Sequence, residues 1–149
     1  MNIRIAEEYD RQNILECVND AYRKYIDRIG KQPAPMLANY SELISKGLVY
    51  VATDKEQIKG LIVLILKENY LLIENVAVYN LFQGQGIGRR LIEFAFMLGK
   101  EEGLQEVHLY TNELMNENLL YYPKFGFIVF NRSIEDGYRR VYMSKCLYL

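Results

Sequence analysis

The stretch Gln83-Gly84-Gln85-Gly86-Ile87-Gly88-Arg89-Arg90 has the residue types and spacing of a phosphate cradle. Alternating glycines let a bulky anion approach the backbone closely. The turn exposes successive N–H groups, and a helix start adds partial positive charge. An apolar run, residues 71–78, precedes the stretch, and helical periodicity over residues 87–102 follows it. That order is strand, glycine-rich turn, helix. The nucleotide P-loop spacing G-x-x-x-x-G-K-[ST] is absent. The dinucleotide fingerprint G-x-G-x-x-G fails because Arg89 stands where its third glycine belongs. The spacing that fits is Q-x-x-G-x-G, met by Gln83, Gly86 and Gly88. Arg89 and Arg90 fall in the first helical turn, where the helix dipole disfavours a cation unless a bound phosphate reverses the sign. Pairing with Glu93, one turn on, is the other reading of these arginines.

Glu74 is the only charge between Tyr70 and Val78. By strand alternation it shares a face with Leu72, Val76 and Val78. A carboxyl among such neighbours suits a base working near neutral pH. A solvated or ion-paired strand-end carboxylate is the alternative. Downstream, Asn118, Tyr122 and Gly126-Phe127 form an N-x-x-x-Y-x-x-x-G-F pattern on a short helix and the turn after it. Asn118 and Tyr122, one helical turn apart, face the same side. Adjacent Tyr121 points roughly 100° away. The single histidine, His108, lies in a strand with no G-x-S-x-G or H-E-x-x-H motif beside it, which leaves no triad or zinc site built on it.

The elements that must position these groups follow from periodicity. A short first strand covers residues 3–6. Ile14, Val18, Tyr22, Tyr25 and Ile29 recur at helical spacing up to Gly30. Pro33 and Pro35 break the chain before a second helix through Met36, Leu37, Tyr40, Leu43 and Ile44, closed by Gly47. Strands at 48–53, 58–66 and 70–78 form an antiparallel meander. After the loop and its helix come a strand at 107–111 and a short helix at 115–122, which Pro123 ends or kinks. A last hairpin, 127–130 with 138–145, turns around Asp136-Gly137.

Length and composition bound the rest. A chain of 149 residues, half hydrophobic and a quarter charged, is expected to be one soluble globular domain spanning 1–149. A net charge of −1 offers no basic field for nucleic acid. Cys17 and Cys146 show no metal or redox spacing and suit a reducing compartment, so the expected location is cytoplasmic. The first twenty residues hold no signal-peptide core, and the aliphatic run 61–66 is too short for a membrane span. Thirteen tyrosines with no tryptophan suggest phenols lining a pocket.

The Q-x-x-G-x-G loop followed by Y-x-x-x-G-F, within the element order β-α-α-β-β-β-α-β-α-β-β, resembles the GNAT superfamily of N-acetyltransferases over nearly the whole chain. The resemblance implies an α/β (α+β) fold: a mixed, mostly antiparallel sheet of six to seven strands flanked by about four helices. It implies acetyl-CoA as donor, held by Gln83, Gly84, Gln85, Gly86, Ile87, Gly88 and Arg89. Asn118 would bond the pantetheine arm, and Val76, Ala77 and Val78 would pair with the pantetheine amides. It implies Tyr122 as the acid that protonates the departing thiolate. Some members use a glutamate on this strand as base, which makes Glu74, or an ordered water chain, the proton acceptor. The first two helices and their connection would wall the acceptor pocket, so Tyr22, Tyr25 and Arg28 are candidate substrate residues. A small-molecule or peptide amine is the implied acceptor, with no nucleic acid or membrane partner and no metal. Such domains often pair through exposed strands, so a homodimer is the prior for assembly. Three alternatives stay open: an acyl-CoA-binding sensor or partner module without transfer activity, a nucleotide-binding protein, and an enzyme using a longer acyl donor.

Overall fold

The chain forms seven strands: β1 Asn2–Ile5, β2 Val49–Asp54, β3 Gln57–Leu66, β4 Tyr70–Val78, β5 Glu106–Asn112, β6 Ile128–Glu135 and β7 Tyr138–Cys146. The helices are α1 Arg11–Tyr22, α2 Ile26–Ile29, α3 Tyr40–Ser45, α4 Ile87–Glu101 and α5 Asn116–Tyr121, in a computed structural model that describes residues 1–148. Hydrogen bonding orders the strands β1-β2-β3-β4-β5-β7-β6. The β1–β2, β2–β3, β5–β7 and β6–β7 pairs are antiparallel, and β4–β5 is parallel. The expected mixed, mostly antiparallel α/β fold is therefore the observed one. Among the described residues no helix is long and apolar enough to cross a membrane.

The chain divides into two compact units, one made of residues 1–64 and 75–94, the other of residues 65–74 and 95 onward. In the first, α1 buries Ile14, Cys17 and Val18, β2 buries Val49 and Val51, and β3 buries Leu61, Ile62 and Val63. In the second, Leu71, Ile73, Val107, Leu109, Val141, Met143 and Phe127 form the core. Burial of one such side chain stabilises by roughly 1.5–3 kcal/mol. Gly60 on β3 is fixed by close approach: a Cβ there would lie 2.8 Å from the Ala77 carbonyl oxygen and 3.3 Å from Ile87 Cγ2.

Two helical runs are broken where periodicity alone expects continuity. The run ending at Gly30 passes through a 3-10 turn, Arg23–Tyr25, before α2. The run through Met36 and Leu37 makes a separate 3-10 turn, Ala34–Leu37, and α3 starts afresh at Tyr40. Ala38 is extended, and the Asn39 side chain accepts the Glu42 N–H at 3.1 Å, a side-chain cap that nucleates a new helix. The hairpin turn at Asp136-Gly137 has φ of 53° and 80°, the pair of positive values that a two-residue hairpin favours.

Candidate active site

In the first unit the end of β4, the glycine loop and the start of α4 form one continuous piece. Gln83, Gly84, Gln85 and Gly86 are exposed, Gly88 is half-buried, and Arg89 is exposed. Gly84 and Gly86 adopt φ of 81° and 84°, the left-handed region that favours glycine. A Cβ built at either would meet nothing within 4 Å, so space lies open beside the loop. Ile87 is buried, and its side chain packs toward Gly60, which anchors the helix start. Helix α4 runs for 15 residues from there, long enough for a developed N-terminal dipole. An open, glycine-lined loop leading into a helix N-terminus fits a pyrophosphate.

Side chains in this unit brace that backbone. Gln83 Nε2 donates to the Val78 carbonyl and to Asn80 Oδ1, both at 3.1 Å. Tyr22, expected to line an acceptor pocket, is buried, and its hydroxyl contacts Asn75 Oδ1 and, at 2.9 Å, the Val76 carbonyl. Asn75 Nδ2 donates to the Tyr40 hydroxyl at 2.9 Å, which in turn donates to the Pro35 carbonyl at 2.6 Å. A chain of hydrogen bonds thus ties the proline connection to β4. Sequence reasoning overlooks Asn75. The signal was available: alternation puts this amide on the buried face of β4 with Leu71, Ile73 and Ala77. Tyr25 is buried with its ring centroid 6.3 Å from that of Tyr22, and the Arg28 guanidinium lies 5.0 Å from the Tyr25 ring. Cys17 is buried, and burial foremost, then the charge of Asp20, pushes its thiol up to about 12, which keeps it protonated and unreactive.

The second unit holds Glu74, Asn118 and Tyr122. Glu74 is half-buried and accepts a hydrogen bond of 2.6 Å from the Tyr110 hydroxyl. Burial first, then that hydrogen bond and the Glu74 charge, push the Tyr110 phenol well above its ordinary value, opposed by the Arg140 guanidinium. Arg140 lies 4.3 Å from the Tyr110 ring centroid and 2.7 Å from Glu135 Oε2, and the Tyr142 hydroxyl donates to Glu135 Oε1 at 2.7 Å. Sequence reasoning misses Tyr110, Arg140 and Glu135, because only strand register brings them together. Asn118 Nδ2 donates to Thr111 Oγ1 at 3.0 Å. Helix α5 ends at Tyr121, and a 3-10 turn, Tyr122–Phe125, accommodates Pro123 and closes on Gly126. Tyr122 is buried, with its ring edge-on to Tyr121 and Phe127, whereas Tyr121 is half-buried. His108 Nε2 lies 2.7 Å from Glu106 Oε1, and its ring stacks on Tyr70 at 3.8 Å. Among the described residues no group of three or more His, Cys, Asp or Glu could hold a metal ion.

Residues 45–129 match the acetyltransferase (GNAT) domain family. No curated protein matches the chain. Among solved structures, the PaiA N-acetyltransferase of Thermoplasma acidophilum, in complex with coenzyme A, aligns with a TM-score of 0.81 at 19% identity, over 97% of this chain and 98% of that one. The ribosomal-protein-S18-alanine N-acetyltransferase of Escherichia coli aligns with a TM-score of 0.76 at 16% identity, over 99% and 94% of the two chains. An aminoglycoside 6'-N-acetyltransferase complexed with coenzyme A aligns with a TM-score of 0.77 at 12% identity, over 100% and 98%. At these identities the likeness is one of fold.

Proposed function

The chain belongs to the GNAT acetyltransferase family, and on that footing we propose that it moves an acetyl group from acetyl-CoA to a primary amine by direct attack on the thioester. The observation that carries this reading is the open loop, with Gly84 and Gly86 in the left-handed region and helix α4 starting at Ile87. Acetyl-CoA, when bound, supplies a thioester carbonyl activated toward amines. Backbone N–H groups of Gly84, Gln85, Gly86, Ile87 and Gly88 hold the pyrophosphate, and Arg89 adds a cation beside it. A backbone N–H of Val76, Ala77 or Val78 stabilises the charge that develops on the carbonyl oxygen. Glu74 takes the proton of the attacking amine, directly or through water. Tyr122 delivers its phenolic proton to the departing sulfur as the C–N bond forms and the C–S bond breaks. Asn118 bonds the pantetheine arm, while Tyr22, Tyr25 and Arg28 shape the acceptor side. Both units serve a single catalytic domain in this reading, and the free cysteines suit the cytoplasm.

The test is thiol release from acetyl-CoA across polyamines, amino acids, aminoglycosides and peptides. Release that depends on one acceptor class supports the proposal and names the substrate. Binding of coenzyme A with no release for any acceptor favours a sensor module. Competition by NADH or ATP and none by coenzyme A sinks the reading altogether.

A further inference from the structure

We infer that Tyr110 is a positioning residue: its hydroxyl holds the Glu74 carboxylate in the orientation from which it takes the amine proton. The inference rests on the reading of Glu74 as the base. The parallel register Ile73↔Leu109 sets the next residues of β4 and β5, Glu74 and Tyr110, side by side. The resulting hydrogen bond is short, 2.6 Å, as bonds to a charged acceptor are. The ring that carries this hydroxyl is itself braced. The register Tyr110↔Tyr142 sets one β7 tyrosine against it, ring centroids 5.7 Å apart, and Arg140 covers it at 4.3 Å. Arg140 is fixed in turn by Glu135 on β6, which also accepts the Tyr142 hydroxyl. The titratable and charged groups on this face of the second unit include Glu74 and Tyr70 on β4, Tyr110, His108 and Glu106 on β5, Arg140 and Tyr142 on β7, and Glu135 on β6. A phenol kept protonated by burial and by its anionic neighbour remains a donor throughout the working pH range. A carboxylate with one oxygen pinned by a clamped ring has fewer rotamers to lose when an amine arrives.

The experiment uses the full chain and an amine that the parent acetylates, with rates measured for Tyr110→Phe, Glu74→Gln and the double variant. Tyr110→Phe is expected to lower kcat about 10-fold while the KM for acetyl-CoA holds, and in the Glu74→Gln background the same change is expected to lower it no further, because both act on one proton transfer. A folded Tyr110→Phe protein with the parent kcat overturns the inference, and so does a fully additive loss in the double variant, which would show that Tyr110 acts apart from Glu74. A parent kcat in Glu74→Gln overturns it differently, by removing Glu74 from the reaction. If Tyr110→Phe does not fold, Arg140→Leu replaces it. That variant frees the ring and is expected to lower kcat by the same route, and additivity with Glu74→Gln there is equally fatal.

Discussion

The glycine loop of the first unit and the Glu74 face of the second make different use of side chains. In the first unit, side chains anchor backbone, Gln83 to the Val78 carbonyl, Tyr22 to the Val76 carbonyl and Tyr40 to the Pro35 carbonyl, with side-chain bonds from Gln83 to Asn80 and from Tyr22 to Asn75 beside them. In the proposed reading, peptide N–H groups there meet the ligand, with Arg89 beside them. Around Glu74, side chains bond to one another across four strands: Tyr110 to Glu74, Tyr142 to Glu135, Arg140 to Glu135. Binding that depends on backbone shape should tolerate truncation of neighbouring side chains and fail when a glycine is filled. Chemistry that depends on side chains should show the reverse.

The sharpest break of that contrast is Tyr122→Phe, which removes one hydroxyl from a buried ring and leaves its apolar packing against Phe127 intact. Loss of a general acid is expected to lower kcat about 100-fold or more, with coenzyme A affinity and thermal stability near parent values. Steady-state thiol release with calorimetric titration of coenzyme A separates the two quantities. Equal rates would move the acid role away from Tyr122 and leave Glu74 as the reactive side chain proposed for the second unit.

Next in size is a stability effect that should leave catalysis alone. Arg4 and the buried Asp10 form a two-pronged ion pair at 2.8 and 2.9 Å, and Asp10 also accepts the Glu7 N–H. The Arg4 hydrogen bond, ahead of the opposing burial, holds the Asp10 carboxyl below the usual range. A depressed folded value stabilises the fold above the unfolded pKa of about 3.9, and that stabilisation is lost as pH falls through the lower folded value. Asp10→Asn should therefore cost about 2 kcal/mol at pH 7, the partial exposure of Arg4 having been discounted. Denaturant curves of parent and variant should converge in strong acid, and a difference that persists there would show that shape rather than charge is at stake.

The loop itself is tested by Gly86→Val. A β-branched residue at φ 84° is strained by about 1–2 kcal/mol, although no neighbour obstructs its Cβ. The loop relieves that strain only by leaving its shape, so coenzyme A affinity should fall about 10-fold with kcat at saturation little changed. Unaltered affinity would mean that the loop does not carry the phosphate.

This contrast also explains what could be seen in the sequence. A backbone site leaves its mark as glycine spacing within one short segment, so Gln83, Gly86 and Gly88 announce the loop before any folding. Strand alternation likewise shows which face of β4 carries Glu74. The partners of Glu74 leave no such mark. Tyr110, Arg140 and Glu135 come from three strands, and their meeting depends on the registers Ile73↔Leu109 and Asn112↔Arg140, which long-range pairing decides. The break between Leu37 and Tyr40 was hidden for a smaller reason, since Asn39 acts as a cap only once Ala38 is extended. Asn75 is legible only as a lone amide on the buried face of an apolar strand, and its role follows from its partners Tyr22 and Tyr40.

Gln83 supplies the finest test of the two behaviours, because it heads the motif yet its amide faces inward to the protein. With Nε2 engaged by the Val78 carbonyl and Asn80 Oδ1, the side chain ties the loop to the end of β4. Such an exposed bond is worth about 1 kcal/mol or less. Gln83→Ala should then weaken coenzyme A binding only about threefold, by loosening the loop rather than by deleting a contact. Gln83→Glu removes the amide donor and adds negative charge, so it should bind worse than Gln83→Ala, and the gap between them should shrink as salt is raised. A loss beyond about 30-fold in Gln83→Ala, at equal thermal stability, would put the side chain on the phosphate itself. The first unit would then bind as the second is proposed to react, through side chains, and the distinction between the two regions would fall.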